Sequence, residues 1–142
     1  MLSPCHFRFL TVIKAEEIAV KIMLVEDNGK TREFIKQMLH KNVGDIEEII
    51  ECDDGKEAMN LYEMNRPDWV LMDINIKTID GLTATKDILS KHADAKIIMV
   101  TMYDEEEYRR LAEEIGACDY VLKDDLAKIP EIIKLGGEKD ET

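Results

Sequence analysis

Trp69-Val70-Leu71-Met72-Asp73-Ile74-Asn75 is a run too apolar to face water that ends abruptly in a carboxylate. Arg66-Pro67-Asp68 precedes it and Lys77-Thr78-Ile79-Asp80-Gly81 follows it, so it reads as a strand covered on both faces. Asp73 then lies at the C-terminal rim of that strand. Open parallel sheets place their ligand sites there, in the crevice beyond the strand ends.

Upstream, Val20 to Val25 is a second apolar strand that runs straight into Glu26-Asp27-Asn28-Gly29. Phe34, Ile35, Met38 and Leu39 then recur at three and four, which predicts a helix over Lys30 to Lys41 with Asn28 as its N-cap and Val43-Gly44 as its end. Ile46 to Glu51 mixes isoleucines with Glu47 and Glu48, the texture of a sheet-edge strand. A helix over Gly55 to Asn65 follows, with Ala58, Met59, Leu61 and Tyr62 on one face.

Downstream, Gly81 to His92 reads as a helix capped by Asp80, with Leu82, Ile88 and Leu89 inward. Ala95 to Thr101 is a further interior strand. Asp104 to Ile115 carries Tyr108, Leu111, Ala112 and Ile115 at helical spacing, with acids in its first turn and Gly116 as its stop. Cys118 to Lys123 is a fifth strand, and Pro130, placed at a first helical position, introduces a last helix to about Leu135.

Five strands alternating with five helices predict an α/β, doubly wound, five-stranded parallel sheet. The mixed strands at Ile46 and Cys118 belong at the edges, which the order 2-1-3-4-5 satisfies. Residues 1–19 stand apart as an N-terminal extension, 20–135 form the domain, and 136–142 are a charged tail.

At 142 residues and 45% apolar content the chain is one globular unit with an ordinary core. Its formal charge of -12, from 19 basic and 31 acidic residues, argues against direct nucleic-acid binding. Cys5, Cys52 and Cys118 lack metal-ligand spacing and read as thiols of a reducing, cytoplasmic compartment. No run is long enough for a membrane helix. The eight methionines read as core filler, and His6, His40 and His92 as surface residues away from the acids.

In the expected order the first and third strands flank the switch point, so Glu26, Asp27 and Asp73 converge. At about 5 Å and an effective dielectric near 20, each pair of charges repels by roughly 3 kcal/mol. Such a cluster holds protons at neutral pH or recruits a cation, and oxygen-only ligands favour Mg²⁺, with Mn²⁺ and Ca²⁺ as the other hard ions. Thr101 and Lys123 end the fourth and fifth strands at the same rim. A cation, an ammonium and a hydroxyl around a carboxylate make a site for a phosphoryl group, with Asp73 as the central nucleophile. Taken singly, each residue has a plainer use: Asp73 as a turn or cap residue, Thr101 as a strand residue, Lys123 as a solvated end, Tyr120 as an edge aromatic. Their coincidence at successive strand ends is what carries the phosphoryl reading.

Val25-Glu26-Asp27-Asn28, Leu71-Met72-Asp73, Asp80-Gly81, Val100-Thr101 and Gly116 to Lys123 together resemble the CheY-like receiver domain of bacterial response regulators, over about residues 20 to 135. The 2-1-3-4-5 order is also the strand order of that family. The resemblance implies that Asp73 accepts phosphate from the phosphohistidine of a histidine kinase or histidine phosphotransfer protein. It further implies that Asp27, Asp73 and the backbone carbonyl of Asn75 ligate Mg²⁺, with Glu26 acting through water. Thr101 and Lys123 would contact the phosphoryl oxygens. Tyr120 matches the family's switch aromatic, which turns inward as Thr101 moves and reshapes the face of the fourth helix, fifth strand and fifth helix for a downstream protein. Glu26 stands where Asp is more usual, and Lys77 and Asp124 stand where many members have Pro; Tyr103 and Asn75 occupy positions that tune phosphoryl lifetime. With only seven residues after Leu135, the chain reads as a stand-alone receiver. The alternatives are a Mg²⁺-dependent phosphohydrolase, which would want an acid where Asn75 stands, and an unphosphorylated receiver-like adaptor.

Overall fold

The computed structural model describes residues 19–136. The sequence readings of residues 1–18 and 137–142 fall outside that range. Strands β1 (Val20–Val25), β2 (Ile46–Cys52), β3 (Trp69–Met72), β4 (Ile97–Thr101) and β5 (Asp119–Leu122) alternate with helices α1 (Gly29–Asn42), α2 (Gly55–Asn65), α3 (Gly81–Lys91), α4 (Glu106–Ile115) and α5 (Lys128–Leu135). All strand pairs are parallel and the order is β2-β1-β3-β4-β5, as the hydrophobic pattern predicted.

Side chains alternate across a sheet, and here both faces are apolar. Ile22, Leu24, Trp69, Leu71, Ile98 and Val100 share one core with Ile35 and Leu39 of α1 and Ile129 and Ile133 of α5. Met23, Val25, Val70, Met72, Ile97 and Met99 share the other with Ala58 and Tyr62 of α2, Ile88 of α3 and Ala112 of α4. This double cover is why the central strands read as continuous apolar runs. The edge strand β2 turns Glu47, Glu48 and Glu51 to water.

The helices start where local chemistry allows. Asn28, Asp54 and Asp80 cap α1, α2 and α3 by accepting from the backbone N–H of Thr31, Lys56 and Thr83. Gly116, at φ 112°, ends α4 in the left-handed region. At the far end of β3 the buried Trp69 ring lies 4.8 Å from Lys96 Nζ, which also reaches the Gly136 carbonyl oxygen at 3.4 Å.

Some expectations are corrected. Helix α4 begins at Glu106, because Asp104 pairs with Arg109 instead of capping. Helix α5 begins two residues before Pro130, whose missing N–H still falls in the first turn, where no helical partner exists. Lys123 lies in a short 3₁₀ turn, Lys123–Asp125, that leads off β5. Phe34, one of the apolar residues whose spacing predicted α1, is 59% exposed, and Met64 and Met102, read with the other methionines as core filler, are exposed while Met23, Met72 and Met99 are fully buried. His92 is half-buried, with Nε2 2.9 Å from Glu63 and its ring 5.2 Å from that of Tyr62.

Two glycines fix the loop that leaves β3. A Cβ on Gly81 would collide with the Asp73 carbonyl, and one on Gly55 with the Ile79 carbonyl. Their N–H groups bind Ile74 O at 2.7 Å and Lys77 O at 3.0 Å, so both helix starts are pressed against the segment after Asp73. Gly29, the first residue of α1, has nothing within 4 Å of its Cβ position. Gly81→Ala is therefore expected to lose about 1–3 kcal/mol of stability in urea unfolding, whereas Gly29→Ala gains about 0.4–1 kcal/mol.

Candidate functional site

The switch point lies between β1 and β3, and both strands end in acids. Asp73 follows directly on β3 and its N–H binds Val25 O at 3.1 Å, while Glu26 follows β1 with its N–H on Cys52 O at 2.9 Å. These ladder bonds continue past the strands and hold both backbones at the rim. Glu26 is 2% exposed and Asp73 4%, so neither carboxylate is screened by bulk water. Asp27 is the least buried of the three acids, and one oxygen of each lies within 4.8 Å of the others.

One cation answers this charge. Lys123 Nζ lies 2.9 Å from Glu26 Oε1 and 3.2 Å from Asp73 Oδ2. The backbone supplies the rest: Asn28 N–H donates to Glu26 Oε2 at 3.1 Å, and Asn75 N–H to Asp73 Oδ1 at 3.2 Å. Burial first, and then the charge of Glu26, push the Asp73 carboxyl up to about 6, against the pull of Lys123. Burial lowers the Lys123 ammonium, but its bonds to Glu26 and Asp73 outweigh that and hold it above its ordinary value.

The cleft beside Asp73 has a volume of about 250 Å³ and is lined by Asn75, Thr101, Met102, Tyr103 and Lys123. The fully buried Thr101 accepts from the Tyr103 N–H through Oγ1 at 3.1 Å. The Tyr120 hydroxyl donates to the Tyr103 carbonyl at 2.6 Å. Burial raises that phenol to about 12, so it keeps the proton it donates. Thr101 and Tyr120 are thus joined through a single residue.

Glu26, Asp27, Asp73, Asn75, Thr101 and Lys123 are therefore gathered at one rim, with Tyr120 one residue's width away. Two contributors carried no obvious sequence signal, and a third, Tyr103, was marked only by the resemblance. Arg32 Nη1 binds the Glu26 carbonyl at 2.8 Å while its Nε meets Glu51 at 2.8 Å. Tyr103 serves through its backbone. Arg109 lies over the Tyr120 ring. The helical spacing of Arg32 and Arg109 marks them only as half-exposed positions. Among the described residues every peptide bond is trans, including the one before Asp124.

The donor set fits a hard divalent ion: three carboxylates in reach of one another, two of them buried and sharing a single ammonium. A doubly wound parallel sheet with this acidic strand-end site defines the class. The chain belongs to the response regulator receiver domain family, whose model matches residues 22–134. It is 35% identical over 106 residues to the chemotaxis protein CheY of Bacillus subtilis, a match covering 75% of this chain and 87% of that protein. It is 30% identical over 128 residues to the transcriptional regulatory protein DegU of Brevibacillus brevis, covering 87% of this chain and 54% of DegU. The chain thus spans about half the length of DegU.

Among solved structures, a LuxR-family two-component response regulator from Aurantimonas sp. SI85-9A1 matches with a TM-score of 0.75 and 31% identity, over 83% of this chain and 84% of that one. The receiver domain of the response regulator NarL from Mycobacterium tuberculosis, at a TM-score of 0.77 and 23% identity, covers 85% of this chain and 98% of its own and shares the fold. Receiver domains are signalling phosphoacceptors of two-component systems and bind Mg²⁺ at an acidic pocket. No helix among the described residues is long and apolar enough to cross a membrane.

The raised Asp73 carboxyl has a signed consequence. Its folded-state value lies above the unfolded 3.8, so the stability it contributes is fully present below 3.8 and is lost as pH rises through about 6. Without divalent cations, Asp73→Asn is expected to be more stable than the parent at pH 7 by about 1–3 kcal/mol. Chemical denaturation from pH 4 to 7 checks this, and the gap should close below pH 4.

Proposed function

We propose that this chain is a phosphorylation-controlled cytoplasmic switch in which Asp73 is the phosphoacceptor. The observation that carries the reading is the Lys123 ammonium held at once by Glu26 and Asp73. A buried carboxylate facing a fixed cation, beside an open cleft with a hydroxyl at its wall, suits an incoming phosphoryl group. An Asp73 carboxylate oxygen attacks phosphorus of a donor phosphohistidine, from a histidine kinase or histidine phosphotransfer protein. The new P–O bond forms as the P–N bond breaks, and the departing imidazole takes up a proton from water.

Asp27, Asp73 and the carbonyl of Asn75 would hold Mg²⁺, with Glu26 acting through water. The ion, when bound, supplies positive charge to the phosphoryl oxygens. Lys123 offsets a second share of that charge and orients Asp73. The Thr101 hydroxyl donates to a phosphoryl oxygen, which takes Oγ1 away from the Tyr103 N–H. Tyr103 is also the acceptor of Tyr120, so the loss of one bond loosens the other. The face made by α4, β5 and α5 thereby changes shape and selects a downstream protein target or an attached domain.

A phosphohydrolase is disfavoured by the amide of Asn75, which cannot act as the second acid two residues beyond Asp73.

Intact mass after incubation with a small-molecule phosphodonor tests the reading. One phosphoryl increment is expected with Mg²⁺, none with a chelator and none in Asp73→Asn. Labelling that persists in Asp73→Asn removes Asp73 from the role.

A further inference from the structure

Between α4 and β5 lies a groove of about 310 Å³. It is lined by the buried Ala112 and Ala117, by Glu106, Glu113 and Asp119, and by Tyr120. A cation already rests there. Arg109 holds its guanidinium carbon 4.8 Å from the centroid of the Tyr120 ring, with Nη2 2.8 Å from Asp104 Oδ1. A planar cation on an aromatic face with a carboxylate at its edge is how a foreign arginine would also be bound.

The surroundings carry more negative charge than Arg109 offsets. Nine acidic and three basic residues fall between Asp104 and Asp125. Of the three, Lys123 is committed to Glu26 and Asp73, and Arg110 pairs with Glu114 at 3.8 Å. The Arg109 contact is also open to exchange. Its side chain is 38% exposed and that of Asp104 69%, so water screens the pair and breaking it costs little. The ring does not depend on it, because the Tyr120 hydroxyl is anchored separately on the Tyr103 carbonyl.

We propose that the α4–β5 groove is the docking site for an arginine-bearing segment of a partner protein, and that Arg109 occupies its cation seat until the partner's arginine displaces it. This rests on reading the α4, β5 and α5 face as the output surface, and not on phosphorylation. Arg109 is then a stand-in for the ligand. Motion of Tyr120 would carry the seat with it, so the same ring serves the switch and the partner.

The test compares Arg109→Ala with Arg110→Ala, two neighbours whose removal changes net charge equally. The probe is a fluorescein-labelled amphipathic peptide of arginine, leucine and alanine, with a counterpart carrying glutamine for arginine, followed by anisotropy without phosphodonor. Vacating the seat should make Arg109→Ala bind the arginine peptide about fivefold more tightly than Arg110→Ala does. The glutamine peptide should show no such difference, and Tyr120→Leu placed in the Arg109→Ala protein should erase the gain. Equal affinities for the two single variants, or a gain that survives Tyr120→Leu, overturns the proposal. Arg109→Gln, measured alongside with its urea midpoint, separates loss of the seat from loss of fold. Because no phosphodonor is present, failure of Asp73 to take phosphate would leave this result standing, and a phosphorylated protein that ignores the peptide would sink the docking site alone.

Discussion

Everything at the rim depends on one ammonium shared by two carboxylates that have almost no access to water. Glu26 and Asp73 are brought together by the parallel pairing of β1 and β3, and neither can leave without breaking the ladder bonds that extend past the strands. Burial and mutual repulsion make the pair costly, and Lys123 only partly compensates, as the raised Asp73 carboxyl records. The sheet is stable enough to hold a site that is itself unfavourable. That is the condition for a site that responds to added positive charge or to a covalent change at Asp73.

The rigidity comes from the helices behind it. Gly55 and Gly81 let α2 and α3 start against the backbone of the segment after Asp73, where any side chain would push that segment away. Thr78, at φ 72°, lies in the same segment, a conformation β-branched residues rarely adopt. The opposite wall is held by side-chain contacts instead: Thr101, Tyr103 and Tyr120 are linked by two hydrogen bonds, and the stacked Tyr103 and Tyr108 rings lie 5.0 Å apart. In the switch proposed above, a change at Asp73 would be taken up on the side of Thr101 and Tyr120, because Gly55 and Gly81 leave the other side no room.

The fold was readable because both faces of the sheet are covered. The runs Val20 to Val25, Trp69 to Met72 and Ile97 to Thr101 have no polar alternation, which sets them in the middle, while Glu47 and Glu48 expose β2 as an edge. The site was readable for a related reason: a charge directly after such a run has no structural use. What escaped the sequence are choices between near-equal local options. Asp104 could have capped α4 but pairs with Arg109. Phe34 shares its helical turn with the fully buried Ile35, yet a rotation of about 100° separates neighbours and leaves it outside. Backbone acceptors such as the Tyr103 carbonyl carry no residue-type signature, so their part becomes visible only when Tyr120 reaches across to them.

Trp69, the chain's single tryptophan, begins the strand that Asp73 terminates. Four residue-to-residue steps of extended backbone, about 13 Å, separate the two, and the indole is sealed beneath α1 and α5 under the Lys96 ammonium. Tryptophan emission of this protein is therefore a gauge of whether the sheet is intact, whereas an optical signal from the acidic rim has its natural chromophore in Tyr103, in the wall of the cleft.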